Sequence, residues 1–102
     1  MMQAMTRLDI GATIARAAPE LRAAGLAALY LFGSQVRGDA SANSDIDLLF
    51  DVVEDWNFSL LDQASLMVRL ESILGRKVDF IERRALRPRI RERIELEMVK
   101  LL

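Results

Sequence analysis

The chain has 102 residues, 14 basic and 15 acidic side chains, a formal net charge of −1, and neither histidine nor cysteine. Residues 1–102 make one domain of ordinary size, and 52% hydrophobic content is enough for one modest core. Zinc sites of nitrogen and sulfur ligands, His-activated nucleophiles and disulfides are excluded.

Any metal must therefore be held by oxygen, which favours magnesium, manganese or calcium, and any general base must be a carboxylate, lysine or tyrosine. The near-zero charge argues against nucleic acid as the main partner, although local patches stay open. The apolar run Leu26 to Phe32 is far shorter than the roughly 20 residues a membrane-spanning helix needs. Arg7, Asp9 and Arg16 interrupt the N-terminal region where a secretory signal would be apolar. The default expectation is a soluble, cytoplasmic chain with no membrane partner.

No internal repeat is visible, and helical and extended patterns alternate at short spacing, which predicts an α/β or α+β fold. Thr6 and Asp9 have the spacing of a capping box, followed by Ile10, Ile14, Ala17 and Leu21 at helical intervals. This helix is expected to reach about Ala24, to kink or restart at Pro19, and to end at Gly25. Leu26 to Phe32 reads as a buried strand that breaks at Gly33-Ser34. Gln35 to Gly38 can form one helical turn, and Asp39 to Ser44 is a polar loop.

Ile46 to Val53 reads as a second strand. Ser59 and Asp62 again have capping-box spacing and open a helix through Leu60, Ala64, Met67, Ile73 and Leu74 that Gly75 stops. Lys77 to Glu82 is a third strand, with Val78 and Phe80 on one face and Asp79 and Ile81 on the other. A last helix follows, with Pro88 in its first turn and one stripe of Leu86, Ile90, Ile94, Met98 and Leu101. Leu96 and Val99 fall opposite that stripe.

The chemistry concentrates in Leu31-Phe32-Gly33-Ser34, a gap of ten residues, and then Asp45-Ile46-Asp47-Leu48. Strand side chains alternate, so Asp45 and Asp47 point one way while Ile46 points into the core. Two carboxylates one pleat apart repel; a raised pKa, full solvation or a bound cation can relieve the repulsion. A strand that ends at Gly33-Ser34 and opens a helical turn offers backbone N–H groups to phosphate oxygens, and Ser34 can add a hydroxyl. A phosphate cradle beside paired acids suits a metal-bound nucleoside triphosphate. Asp79, on its own strand, is the natural third carboxylate and a candidate proton acceptor.

Phe32-Gly33-Ser34-Gln35-Val36-Arg37-Gly38, followed by Ser44-Asp45-Ile46-Asp47-Leu48 and the later acid Asp79, resembles the minimal nucleotidyltransferases of the polymerase-beta-like superfamily. The resemblance covers nearly the whole chain. It implies the nucleotidyltransferase fold, a small mixed β-sheet flanked by helices. It also implies two magnesium ions held by Asp45, Asp47 and Asp79, and transfer of AMP from ATP with release of pyrophosphate. Members of this group are commonly encoded beside a HEPN-domain protein, and several are antitoxins that attach AMP to a tyrosine of that partner. Gln35 departs from the pattern, since many relatives carry a basic residue there.

Gly33, Ser34 and Arg37 are then the candidate nucleotide-binding residues, with a surface ion pair as the bland role for Arg37. Asp51 shares strand parity with Asp45 and Asp47 but reads as a solvated terminus. Trp56 and Phe58 read as loop aromatics folded onto the core. The arginines from Arg83 to Arg93 read as a solvated face, with Arg91–Glu95 and Arg93–Glu97 at helical ion-pair spacing. Two non-catalytic alternatives stand beside the enzyme: a binding module that neutralises a HEPN-type toxin by complex formation, and an ATP sensor.

Overall fold

The structure is a computed structural model, and it describes residues 6–41 and 43–102. Helix α1, Arg7–Ala23, starts from a complete capping box: the Thr6 hydroxyl accepts from the Asp9 N–H while the Asp9 carboxylate accepts from the Thr6 N–H. Pro19 neither breaks nor restarts this helix. It lies on the exposed side, where water can solvate the carbonyl that a proline leaves without its N–H partner.

Strand β1, Leu26–Phe32, leads into the one-turn helix α2, Ser34–Arg37, and then into strand β2, Ile46–Val52. Helix α3, Leu60–Leu74, carries a second capping box from Ser59 and Asp62 and stops at Gly75 in the left-handed conformation. Strand β3, Val78–Glu82, is followed by a 3₁₀ turn at Arg83–Ala85, helix α4 at Pro88–Glu95 and the two-residue strand β4 at Val99–Lys100.

The four strands form one mixed sheet in the order β3-β2-β1-β4, so the fold is the expected α+β arrangement. β1 is antiparallel to both β2 and β4, whereas β3 runs parallel to β2. The parallel pair needs a crossover, which α3 supplies. One face of the sheet is apolar: Leu29 and Leu31 of β1, Ile46, Leu48 and Phe50 of β2, and Val78 and Phe80 of β3 are all buried. Ile10, Ile14 and Leu21 of α1 and Leu66, Leu70 and Leu74 of α3 cover it in a single core cluster. Phe50 and Phe80 stack with ring centroids 4.1 Å apart.

The C-terminal segment departs from expectation. The last helix ends at Glu95 and none of its residues is buried, so the proposed core stripe does not exist. Ile90 and Leu96 are exposed, and Val99 belongs to strand β4, paired with Leu31. Apolar residues that fall at helical intervals in the sequence are here divided between a surface helix and a sheet edge. Phe58 does pack on the core, with its ring 5.6 Å from that of Phe50. Trp56 stays 44% exposed but lies so close over Gly25 that a Cβ there would sit 2.8 Å from the indole.

Because the helix that carries the parallel crossover depends on its N-terminal box, Ser59→Ala should lower global stability by about 1 kcal/mol. A fall in the urea midpoint with an unchanged slope would register this loss, and an unshifted midpoint would contradict it.

Candidate active site

The face of the sheet opposite the helices carries the acidic residues. Register places Phe32, Asp47 and Asp79 in one row across β1, β2 and β3. Residues paired across neighbouring strands project to the same side, so Asp47 and Asp79 stand next to each other on the face that α1 and α3 leave open. Asp47 is half-buried and Asp79 exposed. Asp45 precedes β2 by one residue and is also exposed.

Burial is the largest influence on Asp47 and pushes its pKa up to about 6, with the negative charge and the hydrogen bond of Asp79 next and the charge of Asp45 after them. Arg37 opposes the shift. The charge of Asp79 therefore bears on Asp47 from the neighbouring strand, and that of Asp45 acts on Asp47 through space. Among the described residues, no three acidic groups close into a ready-made metal cage.

Gly33 is built into the same site. Its φ of 78° and ψ of −148° belong to a region that only glycine occupies comfortably. A Cβ at this position would overlap the Asp47 Oδ2 atom. The turn thus brings bare backbone against the carboxylate, and α2 begins at once with Ser34 and closes when the Gly38 N–H donates to the Ser34 carbonyl at 3.0 Å. Ser34 is half-buried. Arg37 is exposed and pairs with Asp39 at 3.4 Å and with Glu97 at 3.3 Å. Gln35 is buried, and its Nε2 has no hydrogen-bond partner among the described residues.

Several residues of this neighbourhood have no marker in the sequence. The Arg76 guanidinium donates to the carbonyls of Ser41 and Ser44, tying the loop ahead of Asp45 to the start of β3. The Ile46 N–H donates to the Lys77 carbonyl at 2.9 Å and completes that junction. Glu97 accepts from the Gly33 N–H at 3.3 Å as well as from Arg37. Asp51 is not a solvated terminus: it accepts from the Tyr30 hydroxyl at 3.2 Å and from Arg83 at 2.8 Å. Arg83 continues to Glu95 at 2.6 Å and lies 5.8 Å from the centre of the Tyr30 ring. Glu95 and Glu97 thus pair with arginines outside α4, not with Arg91 and Arg93.

The residues match the needs of a magnesium-bound nucleotide in the chemistry of their donors. Magnesium is usually held by one or two carboxylates together with substrate phosphates, without a closed protein cage. Asp47 and Asp79 provide such a pair, and Asp45 flanks it.

The nucleotidyltransferase domain family matches residues 13–101. A chain of Methanocaldococcus jannaschii that its name assigns to the protein adenylyltransferases is 36% identical over 84 residues, 82% of this chain and 88% of its own. Protein adenylyltransferase MntA of Thermococcus cleftensis is 37% identical over 75 residues, 74% of each chain. A solved structure described as a minimal nucleotidyltransferase is 36% identical and covers 91% of this chain and 89% of its own, with a TM-score of 0.70. Two toxin–antitoxin structures share the fold. One contains AMP-PNP, with 24% identity, TM-score 0.72 and coverage of 90% and 72%. The other is a tri-AMPylated Shewanella oneidensis HEPN toxin with its MNT antitoxin, with 20% identity, TM-score 0.66 and coverage of 91% and 71%.

Fold, site and relatives together define a nucleotide-transferring enzyme. The chain belongs to the nucleotidyltransferase domain family.

Burial of Asp47, with the neighbouring carboxylates, sets a pH dependence. Asp47 titrates near pH 6 when folded, against about 3.9 when unfolded. The folded state therefore holds the extra proton between these values, and the cost of ionising Asp47 grows as pH rises from about 4 to 6 and is constant above. Asp47→Asn removes that cost. After discounting for solvent screening, the variant should be more stable than the parent by about 1 kcal/mol at pH 7.5 in chelator. The gain should vanish near pH 4. Urea unfolding at both pH values measures it, and a loss of stability at pH 7.5 would contradict the cost of ionising Asp47 in its half-buried place.

Proposed function

We propose that the chain is a magnesium-dependent enzyme that transfers AMP from ATP to a hydroxyl of a partner protein, as the antitoxin of a HEPN-type toxin–antitoxin pair. The observation that carries this reading is the in-register pair Asp47 and Asp79 beside a turn where Gly33 must lack a side chain. The AMP-PNP and tri-AMPylated toxin assemblies built on this fold support the donor and the partner class.

Asp45, Asp47 and Asp79 would hold the magnesium ions. When bound, these supply charge neutralisation for the phosphates and a lowered pKa for the attacking hydroxyl. The Gly33 N–H and the Ser34 hydroxyl bind non-bridging phosphate oxygens, and Arg37 adds a cation at the rim. Asp47, partly buried under the turn, is placed to orient the α-phosphate side of the substrate. Asp79, exposed on strand β3, is placed to take the acceptor's proton on a carboxylate oxygen. The new bond joins the acceptor oxygen to the α-phosphorus, the bond from that phosphorus to the bridging oxygen breaks, and pyrophosphate leaves with the electron pair.

Asp45→Asn and Asp47→Asn should each lower magnesium-dependent transfer by about 10²-fold to 10³-fold or more, with the circular dichroism of the fold unchanged. Intact mass of a HEPN-domain partner incubated with the enzyme, ATP and magnesium reads the result, since only transfer adds the mass of AMP. Full activity in both variants would overturn the mechanism. A wild-type protein that protects cells and binds the toxin without modifying it would establish neutralisation by complex formation instead.

A further inference from the structure

The contact between Glu97 and the glycine turn is not explained by the reaction. A single carboxylate oxygen, Oε1 of Glu97, accepts from the buried Gly33 N–H at 3.3 Å and from the Arg37 guanidinium at 3.3 Å. A backbone N–H and a guanidinium converging on one anionic oxygen is the arrangement that also receives a phosphate oxygen. The carboxylate comes from 64 residues away in the sequence, and the fold holds it there at both ends. On one side β4 pairs Val99 with Leu31 and Lys100 with Tyr30, two to three residues ahead of Gly33 on the same strand. On the other side Arg83 grips Glu95 at 2.6 Å.

We propose that Glu97 is a tethered mimic of a phosphate group: it satisfies the Gly33 N–H and Arg37 before nucleotide arrives and must be displaced for the triphosphate to bind. The proposal rests on the nucleotidyltransferase reading of this site. Glu97 is a positioning residue, since it acts through the donors that the substrate later uses. An anion carried on the chain competes at a high effective concentration. Inorganic phosphate or another weak anion therefore has to outcompete it with a single group, whereas ATP brings several phosphates and its metal. Charge at the rim is balanced in both states, because one anion replaces another opposite Arg37.

The test compares wild-type protein with Glu97→Gln, which keeps the size of the side chain and removes its charge. Calorimetric titration with ATP and magnesium should show at least fivefold tighter binding by the variant, while adenosine, which has no phosphate, should bind both proteins within twofold. A merely structural role for Glu97 would weaken ATP or move both ligands together, and either result overturns the proposal. In the wild-type protein, ATP should shift the Gly33 amide and the Glu97 side-chain carboxyl resonances with one common Kd. A Glu97 carboxyl resonance that stays put at saturating ATP would also overturn it, even if the variant failed to fold. If wild-type protein binds ATP but the variant binds it no more tightly, only the role of Glu97 falls. If neither protein binds ATP, the nucleotidyltransferase reading falls and takes this inference with it.

Discussion

Two carboxylates held side by side by backbone pairing set the terms for the rest of this molecule. Asp47 and Asp79 cannot move apart, because the parallel register of β2 and β3 fixes their Cα positions, and that register is fixed in turn by apolar pairs on the opposite face. Ile46 lies opposite Val78, and Leu48 opposite Phe80. Sliding β3 by one residue would expose Val78 and Phe80 and bury Asp79 against α3. The hydrophobic core therefore enforces an electrostatic arrangement that the two acids alone would avoid. The raised pKa of Asp47 records its burial first and that conflict second.

The glycine turn answers to the same constraint. Space beside the Asp47 carboxylate is so short that Gly33 cannot be replaced without a clash, and its backbone conformation leads the same way. The segment from α4 to β4 then finishes the edge of the site through two acid–arginine contacts, Glu95 with Arg83 and Glu97 with Arg37. The second is worth little as an exposed ion pair, and the first is only part-buried. Each gains from strand pairing nearby, which has already removed most of the entropy of bringing distant residues together.

Much of this could be read from the chain because its signals are local. Thr6 and Asp9, Ser59 and Asp62, and the stop at Gly75 act within a few residues, and the helices begin and end where these residues place them. The alternation of β2 and β3 separates Asp47 and Asp79 from the core at a period of two, so the residues of the acidic face were legible as well. What stayed hidden depends on long-range partners. Val99 and Lys100 are strand residues only because β1 offers an edge, and their spacing from Ile94 imitates a helix. Asp51 has the pattern of a strand end until Tyr30 and Arg83 close on it. Glu97 has helical spacing to Arg93, and nothing within four residues indicates that the helix will end first and send its carboxylate to Gly33.

The placement of the acids also bears on where an acceptor can enter. β3 is an edge strand of the sheet, and its Asp79 is exposed whereas Asp47, one strand further in, is partly covered. On the other flank, β1 is closed off by β4 and by the contacts of Glu97 with Gly33 and Arg37. In the proposed reaction the nucleotide phosphates would occupy the flank of Gly33, so the hydroxyl has to arrive from the flank of Asp79. An acceptor borne on a separate protein can reach that open edge without crossing the nucleotide. In that reaction the pyrophosphate would leave on the side of the turn and the incoming oxygen would approach on the side of the exposed acid, as in-line displacement at the α-phosphorus requires.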